Sequence, residues 1–249
     1  MPNVLVADDN PVSLRFFADA LATLGIACEL AHDGLEASAM AARVRYDLLL
    51  LDARMPGLDG IGALERIRGV PGPSRNAAAC ATTADASEST RRALIAAGFA
   101  DVVAKPVTLN ALRDALARHL GMAFADATMP AGPSEEPGLD DARALAATGG
   151  DASILAALRG LLMGELDALP GEIAAFAALD DVAALRDRLH RLDASAGFCG
   201  APALAHAAAR LRAALDADDG WPTDSAADFL AACAGVRTML ANSGARIAV

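Results

Sequence analysis

Five polar side chains in the first half of the sequence come at the ends of short apolar runs: Asp8, Asp9, Asp52, Thr83 and Lys105. Carboxylates that lie within a few ångströms of one another repel unless a divalent cation lies between them, and Mg²⁺ suits an all-oxygen site that keeps some waters. Such a cation also neutralises an incoming phosphoryl group, while an ammonium and a hydroxyl hold the remaining phosphate oxygens. The residue types therefore fit phosphoryl transfer to a carboxylate nucleophile.

Lys105 is the only lysine in a chain that carries 21 basic residues, the others being arginine. The lysine ammonium is a compact point charge on a flexible stem, whereas guanidinium is a planar fork. Lys105 stands before Pro106 at the end of the run VVAKP. We therefore expect it to reach a specific anionic partner.

The elements that must position these residues alternate between short apolar runs and helical patterns. Runs such as Val4–Ala7 and Leu48–Leu51 suit strands buried on both faces of a parallel sheet, and patterns such as Pro11–Thr23 suit helices. The alternation predicts an open α/β sheet, in which ligands bind beyond the carboxyl ends of the strands. All five polar residues would then lie on one rim. The simpler alternative gives each of them a local role, as a helix cap, a turn residue or a surface charge.

The first 120 residues resemble a response-regulator receiver domain. The motifs that carry the resemblance are VLVADDNP at 4–11, LLLLDARMPGLDG at 48–60, ATTADAS at 81–87 and VVAKPV at 102–107. The resemblance implies a doubly wound, five-stranded parallel sheet of the flavodoxin-like type. It also implies that Asp52 is the residue that accepts a phosphoryl group.

The same resemblance implies a magnesium site whose oxygen ligands come from four residues: Asp8, Asp9, Asp52 and, through its backbone carbonyl, Arg54. Thr83 and Lys105 would contact the phosphoryl group, with a cis bond between Lys105 and Pro106. Receiver domains usually carry Tyr or Phe three residues before this lysine, and here that position is Val102. We therefore expect a smaller conformational switch, or one that works through packing of the fourth helix and the fifth strand.

A domain boundary follows this region. Residues 122–138 are rich in Pro, Gly, Ala and acidic residues without a sustained period, which is typical of a linker. We therefore predict domains at 1–121 and 139–249. In the second domain Leu and Ala recur at three- and four-residue spacing over four longer segments, which predicts an antiparallel four-helix bundle.

His190 is the residue in this bundle that could carry chemistry. Leu185, Leu189 and Leu192 mark the core face of its predicted helix, and small residues, Ala194 and Gly197, follow His190 on its own face. Small neighbours would leave the imidazole accessible. An accessible imidazole nitrogen is a nucleophile near neutral pH and can carry a phosphoryl group.

The segment from about Leu139 to Leu240 resembles a histidine-containing phosphotransfer (HPt) domain, chiefly through LRDRLHRLDASAGFCGAPALAHAAARLRAAL at 185–215. The resemblance implies that His190 carries a phosphoryl group. The family has lysine three residues after this histidine and then glycine, whereas here Asp193 and Ala194 stand in those places. An aspartate would repel a phosphoryl group, and Arg186, one turn before His190, would offset that repulsion.

Composition limits the remaining possibilities. The net charge is −11, and most of the acidic excess lies after residue 121, which argues against a nucleic-acid-binding domain there. The longest apolar runs are too short to span a bilayer, and the N-terminus lacks the pattern of a signal peptide. The cysteines are isolated in apolar contexts, which is typical of reduced core residues in a cytoplasmic protein: Cys28, Cys80, Cys199 and Cys233. The alanine- and arginine-rich composition suggests a bacterium with GC-rich DNA.

These observations favour a two-component phosphorelay protein that is not an enzyme, because the sequence shows no glycine-rich ATP-binding region. A sensor histidine kinase or another phosphorelay protein would donate phosphoryl groups, and a separate response regulator is a further possible partner; we expect neither nucleic acid nor membrane as a partner. The alternative is a receiver that controls a protein-binding module, with an HPt-like domain that is never phosphorylated. A third hypothesis, a phosphate sink, predicts rapid hydrolysis at Asp52 and no need for His190.

Overall fold

The computed structural model describes residues 2–124, 138–217 and 221–247, with side chains described up to residue 243. The chain divides into two compact units, which correspond to the α/β and the helical parts of the sequence. Most of the predicted linker, residues 122–138, lies outside the described residues. The boundaries at 121 and 139 remain predictions.

A five-stranded parallel sheet forms the centre of the first unit. Its strands are β1 (Asn3–Ala7), β2 (Ala27–Ala31), β3 (Leu48–Asp52), β4 (Ala78–Thr83) and β5 (Asp101–Ala104). Their order across the sheet is β2-β1-β3-β4-β5, and every neighbouring pair is parallel. The structure thus confirms the doubly wound fold, with the order reversing between β1 and β3.

Helices connect the strands: α1 (Pro11–Thr23), α2 (Gly34–Ala41), α3 (Gly60–Gly69), α4 (Glu88–Ala96) and α5 (Leu109–Leu120). Each begins after a polar N-cap side chain that accepts hydrogen bonds from its first turn. Apolar residues of α2, α3 and α4 cover one face of the sheet, where Tyr46, Leu64 and Phe99 are buried in one cluster with Leu49. The connections from strand to helix are short, with two to seven residues between each strand end and the next helix start.

The regular elements of the second unit are helices in the part of the chain that the structure describes. Its helices are α6 (Asp141–Ala147), α7 (Ala152–Leu179), α8 (Val182–Cys199), α9 (Pro202–Ala217) and α10 (Thr223–Ile247). The four long helices pack in a closed ring, in which α7 contacts α8 and α10 and α9 contacts the same two helices. The predicted bundle is therefore confirmed.

The connection between α8 and α9 depends on Gly200. Its φ of 64° lies in the left-handed region, and a Cβ there would lie 2.4 Å from the carbonyl oxygen of Asp140. The carbonyl of Gly200 in turn accepts a hydrogen bond from the Asp140 N–H at 2.8 Å. This close approach fixes the start of α6 against the end of α8, and only glycine fits it. No helix among the described residues is long and apolar enough to cross a membrane.

Candidate functional site

The sheet brings the predicted polar residues to one edge of the first unit. Asp8 and Asp9 follow β1, Asp52 ends β3, Thr83 ends β4 and Lys105 follows β5. The register aligns the strand ends at one height, since Ala7 is paired with Leu51 and Asp52 with Thr82. Parallel strands therefore place at one rim residues that are far apart in sequence.

An acidic cluster lies at the centre of this rim. One carboxylate oxygen from each of Asp8, Asp9 and Asp52 lies within 4.8 Å of the other two. Asp8 and Asp52 are buried, with 0% and 1% of their surfaces exposed, whereas Asp9 is partly exposed. The cluster is therefore open to solvent on the side of Asp9.

Lys105 closes the cluster on its buried side. Its Nζ lies 2.5 Å from Asp52 Oδ2 and 2.7 Å from Asp8 Oδ2, and the lysine side chain is only 3% exposed. The backbone N–H of Lys105 donates to the carbonyl of Thr83 at 2.7 Å, and the bond to Pro106 is cis, as the sequence predicted. One ammonium thus contacts two buried carboxylates.

Burial and charge change the acidity of this group of residues. Burial, opposed by the charge of Lys105 and aided by the negative charge of Asp8, raises the pKa of Asp52 to about 7. Burial by itself would lower the pKa of Lys105, but the charges of Asp8 and Asp52 outweigh it and raise the pKa. Lys105 is therefore held as an ammonium beside the side chain of Asp52.

The loop after β3 positions Asp52. The backbone N–H of Arg54 donates to Asp52 Oδ1 at 3.2 Å, while the Arg54 side chain is exposed. Gly60 begins α3 directly against the strand end, where a Cβ would lie 2.3 Å from the carbonyl oxygen of Asp52. A side chain at position 60 would therefore displace the backbone of Asp52.

Thr83 lies at the end of β4, next to β3 in the sheet, and is 3% exposed. Its Oγ1 accepts a hydrogen bond from the backbone N–H of Asp85 at 3.1 Å. Asp85 and Ser87 then shape the turn into α4, with the Ser87 N–H donating to Asp85 Oδ1 at 2.9 Å. The hydroxyl is thus fixed by the loop that leads into α4.

Charged residues that the sequence analysis missed surround Val102. Arg91 of α4 donates to the carbonyl of Val102 at 3.2 Å and lies 3.4 Å from the carboxylate of Asp101. The same carboxylate forms an ion pair with Arg118 of α5 and lies 3.6 Å from His119 Nε2. In place of the usual aromatic side chain, ionic contacts therefore tie α4 and α5 to β5.

His190 lies in the middle of α8 and is partly exposed. The predicted core face is confirmed, since Leu185, Leu189 and Leu192 are each fully buried. Of the small residues on the histidine's own face, Ala194 is 4% exposed and Gly197 is partly exposed. The imidazole is thus half-buried at the surface of the bundle.

The charges around His190 differ from the expectation. The partners of Arg186 lie near the end of α9. Its guanidinium forms an ion pair with Asp216 and donates to the carbonyl of Leu215 at 2.6 Å. Asp193 instead forms an ion pair with Arg212 of α9. Sequence spacing identified residues on the helix of His190, but the partner of Asp193 comes from the neighbouring helix.

A second feature that the sequence analysis missed is a buried ionic network inside the bundle. Arg188, 5% exposed, lies 3.0 Å from a carboxylate oxygen of Glu165 and 2.6 Å from one of Glu172, both on α7. The hydroxyl of Ser195 donates to Glu165 at 2.8 Å. Burial lowers the pKa of Arg188, but these carboxylates outweigh it and raise the pKa. The network joins α7 to the helix that carries His190.

Comparison with known proteins finds a match for each of the two parts of the chain. Residues 4–117 match the family model of the response regulator receiver domain, and residues 154–245 match that of the Hpt domain. Residues 4–117 are thus a receiver domain and residues 154–245 an Hpt domain. Together the two matches cover most of the chain.

Individual relatives are sensor kinases. The sensor histidine kinase GacS of Pseudomonas protegens is 31% identical over 232 residues, which is 88% of this chain and 25% of that protein. The signal transduction histidine-protein kinase BarA of Shigella flexneri is 28% identical over 205 residues, 80% of this chain and 22% of that protein. This chain therefore spans about a quarter of the length of these curated relatives.

Among solved structures, the receiver domain of the sensor histidine kinase PA1611 from Pseudomonas aeruginosa PAO1 is 36% identical. The match covers 49% of this chain and 98% of that one, with a TM-score of 0.45. That receiver domain was crystallised with a magnesium ion coordinated in its active-site cleft.

Proposed function

We propose that this chain takes a phosphoryl group on Asp52 from the phosphohistidine of a partner protein, and carries or exchanges a phosphoryl group on His190. The observation that carries the first half is the contact of Lys105 with Asp8 and Asp52 within an open cluster of three carboxylates. The observation that carries the second half is a half-buried histidine in the interior of a bundle helix.

In the receiver, an oxygen of Asp52 attacks the phosphorus of the donor phosphohistidine. The new O–P bond forms as the N–P bond breaks, and the electron pair of that bond returns to the donor imidazole nitrogen, which takes up a proton. Lys105 can then follow the negative charge from the carboxylate to the phosphoryl oxygens, because its Nζ already contacts Asp52. Thr83 Oγ1, on the adjacent strand end, supplies a hydroxyl for another phosphoryl oxygen.

The residues of this rim fit a magnesium ion. The oxygens of Asp8, Asp9 and Asp52 lie close enough together to share one cation, and all are hard oxygen donors. The backbone carbonyl of Arg54 is the fourth protein ligand that we propose. When bound, Mg²⁺ supplies positive charge to an incoming phosphoryl group and offsets the repulsion among the carboxylates.

In the bundle, the lone pair of the unprotonated imidazole nitrogen of His190 attacks the phosphorus of an aspartyl phosphate. The N–P bond forms as the P–O bond to the carboxyl group breaks, and the carboxylate leaves with the electron pair. The carboxylate is a good leaving group and the imidazole is nucleophilic near neutral pH. In the reverse step the carboxylate attacks the phosphorus and the imidazole leaves with the electron pair of the N–P bond and takes up a proton. The donor or acceptor is Asp52 of this chain or the receiver of a separate response regulator.

The phosphoryl groups come from a sensor histidine kinase or from another phosphorelay protein. This partner class follows from the proposed donor, a phosphohistidine, which holds phosphorus on nitrogen. We place the relay in the cytoplasm because the cysteines are unpaired, and burial raises the pKa of Cys80, Cys199 and Cys233 to about 12, which keeps them as inert thiols.

The test labels the full chain with radioactive acetyl phosphate and, separately, with radioactive phosphoramidate. We expect base-labile label on Asp52 and acid-labile label on His190, so Asp52→Asn loses the first and His190→Ala the second. His206→Ala is the matched control, because His206 is exposed on the adjacent helix α9. Label that survives in Asp52→Asn as an acyl phosphate would contradict the role of Asp52.

The aspartate at position 193 favours a second function, in which the bundle binds a protein under the control of the receiver without carrying phosphoryl groups. The same experiment separates the two. A chain labelled only on Asp52, with either donor, would favour the binding module and exclude His190 as a carrier.

A further inference from the structure

We propose that Arg212 of α9 supplies the positive charge that stabilises a phosphoryl group on His190. This inference rests on the function proposed for His190. A cation would be expected on α8 itself, three residues after His190, but residue 193 is aspartate. The neighbouring helix α9 supplies the positive charge instead.

The guanidinium of Arg212 lies over the turn of α8 that contains His190. Its Nη1 lies 3.4 Å from the carbonyl oxygen of Leu189, the residue before the histidine, and forms an ion pair with Asp193, three residues after it. On a helix, residues three apart are surface neighbours with Cβ atoms about 5–6 Å apart. The two contacts therefore hold the guanidinium at the turn of α8 from which His190 projects.

The direction of the side chains brings this charge closer to the histidine. The Cα–Cβ bonds of an α-helix tilt toward its N-terminus, so the carboxylate of Asp193 lies over the preceding turn. An arginine held by that carboxylate is drawn toward Leu189 and His190 rather than toward the end of α8. Asp193 stands where the family has lysine, and it positions Arg212 so that the guanidinium replaces the charge of that lysine.

The chemistry of guanidinium allows Arg212 to serve two anions at once. It has five N–H donors on a planar frame, and hydrogen bonds between such donors and phosphate are charge-assisted. The Arg212 side chain is 32% exposed and that of Asp193 is 21% exposed, so solvent-facing donors are free to meet a phosphoryl oxygen while the ion pair persists. The pair also cancels the repulsion that Asp193 alone would exert on the phosphoryl group.

Arg186, the other arginine near His190, does not fit this role. Its guanidinium is bound by Asp216 and by the carbonyl of Leu215. These partners lie near the carboxyl end of α9, on the N-terminal side of His190 along α8. Arg186 is therefore held by partners at the end of α9, whereas Arg212 is held by Asp193.

The test measures the label on His190 of the full chain at equilibrium with radioactive phosphoramidate, in an Asp52→Asn background. We expect Arg212→Gln to reduce the labelled fraction about tenfold, as the loss of one charge-assisted hydrogen bond implies. Asp193→Asn keeps a side-chain oxygen that can accept a hydrogen bond from Arg212 but removes the repulsive charge, so its label is retained or increased. Arg210→Gln, an exposed arginine on the same helix, is the matched control and keeps the parental label.

A rescue variant separates electrostatics from folding. Asp193→Lys in the Arg212→Gln background returns a cation beside His190 and is expected to recover most of the label, while thermal unfolding followed by the fluorescence of Trp221 shows that each variant is folded. Equal losses in Asp193→Asn and Arg212→Gln would overturn the inference, because they would show that the ion pair is only structural. Parental label in Arg212→Gln, or loss in Arg186→Gln instead, would overturn it also.

The failure of the function proposed for His190 looks different from the failure of this inference. No acid-labile label on the parental chain would overturn the phosphoryl-carrying role of His190, and the role of Arg212 with it. Parental labelling that does not respond to Arg212→Gln would overturn only the role of Arg212.

Discussion

Lys105 and Asp52 form an ion pair of 2.5 Å in which the side chains are only 3% and 2% exposed. The same ammonium lies 2.7 Å from Asp8, whose side chain is fully buried. A single cation therefore compensates two carboxylates below the surface of the receiver domain. This arrangement links the stability of the domain to the site at which we propose the chemistry.

Lys105→Met is expected to destabilise the receiver domain by about 3 kcal/mol in the absence of divalent cations, because it leaves two buried carboxylates without their cation. Urea unfolding followed at Tyr46, the only tyrosine, measures the change, since this buried residue lies in the receiver domain. Arg15→Met is the control: Arg15 pairs with Asp19 on the surface of α1, and its loss should cost less than about 1 kcal/mol. Similar unfolding midpoints for Lys105→Met and Arg15→Met would contradict this prediction.

Magnesium should stabilise the receiver domain through the acidic cluster. With Mg²⁺ at a hundredfold excess over its Kd, the free energy of unfolding should rise by about 3 kcal/mol. Asp9→Asn should remove most of this gain, because Asp9 is the partly exposed member of the cluster and its replacement leaves no cavity. Thermal unfolding of the receiver domain, followed by the signal of Tyr46 with Mg²⁺ or with a chelator, measures this gain in stability.

The control for this prediction is Asp47→Asn. Asp47 is exposed and lies before β3, at the opposite end of the sheet, where it accepts a hydrogen bond from the Asn3 N–H at 2.9 Å. Its variant should keep the full response to Mg²⁺. A response that is the same in Asp9→Asn and Asp47→Asn would place the ion elsewhere.

Arg188→Met should destabilise the Hpt domain by about 3 kcal/mol or more, because Glu165 and Glu172 lose the cation that compensates them. Trp221, the only tryptophan, lies between α9 and α10 and reports unfolding of the bundle by fluorescence. Arg237→Met is the control, since the Arg237–Asp167 pair also joins two bundle helices but is more than half exposed, and its loss should cost less than about 1 kcal/mol. An equal loss in the free energy of unfolding for Arg188→Met and Arg237→Met would show that burial does not make the Arg188 ion pairs more important for stability.

Asp101 makes the stability of the receiver domain depend on pH. Burial raises the pKa of Asp101, but the hydrogen bond from the Val102 N–H and the charge of Arg118 together hold the pKa below its usual value of 3.8. A carboxyl group with a lowered folded-state pKa stabilises the protein above its unfolded-state pKa, and that stability is lost as the pH falls through the folded-state pKa. At neutral pH the contribution is therefore complete.

Asp101→Asn should thus lower the free energy of unfolding by about 1–2 kcal/mol at neutral pH. The difference from wild type should shrink as the pH falls below about 4, because the protonated carboxyl group no longer attracts Arg91 and Arg118. The prediction is checked by the urea midpoints of wild type and Asp101→Asn across this pH range, with unfolding followed by the signal of Tyr46. A difference that stays constant down to about pH 3 would show that the cost comes from packing and not from charge.

Much of the receiver domain was determined by the sequence, because its signals are local. Each apolar run of four or five residues, bounded by polar residues and alternating with helical patterns, favours a buried strand, and the polar residue at its end then lies at a strand terminus. A parallel sheet joins those termini, so Asp8, Asp52 and Lys105 were predictable as neighbours although up to 97 positions separate them. In the bundle, the helical period likewise determined that Leu189 is buried and that His190 is not in the core.

Only the tertiary structure decided which charges meet. The sequence suggested Arg186 as the charge that offsets repulsion by Asp193, yet Asp193 pairs with Arg212. Arg188 is buried with Glu165 although its residue type is usually exposed. Periodicity specifies which face of a helix is apolar, but a long charged side chain can extend several ångströms in many directions. Its partner depends on how neighbouring helices cross and on which carboxylates they bring within reach, and this geometry exists only after the helices have packed.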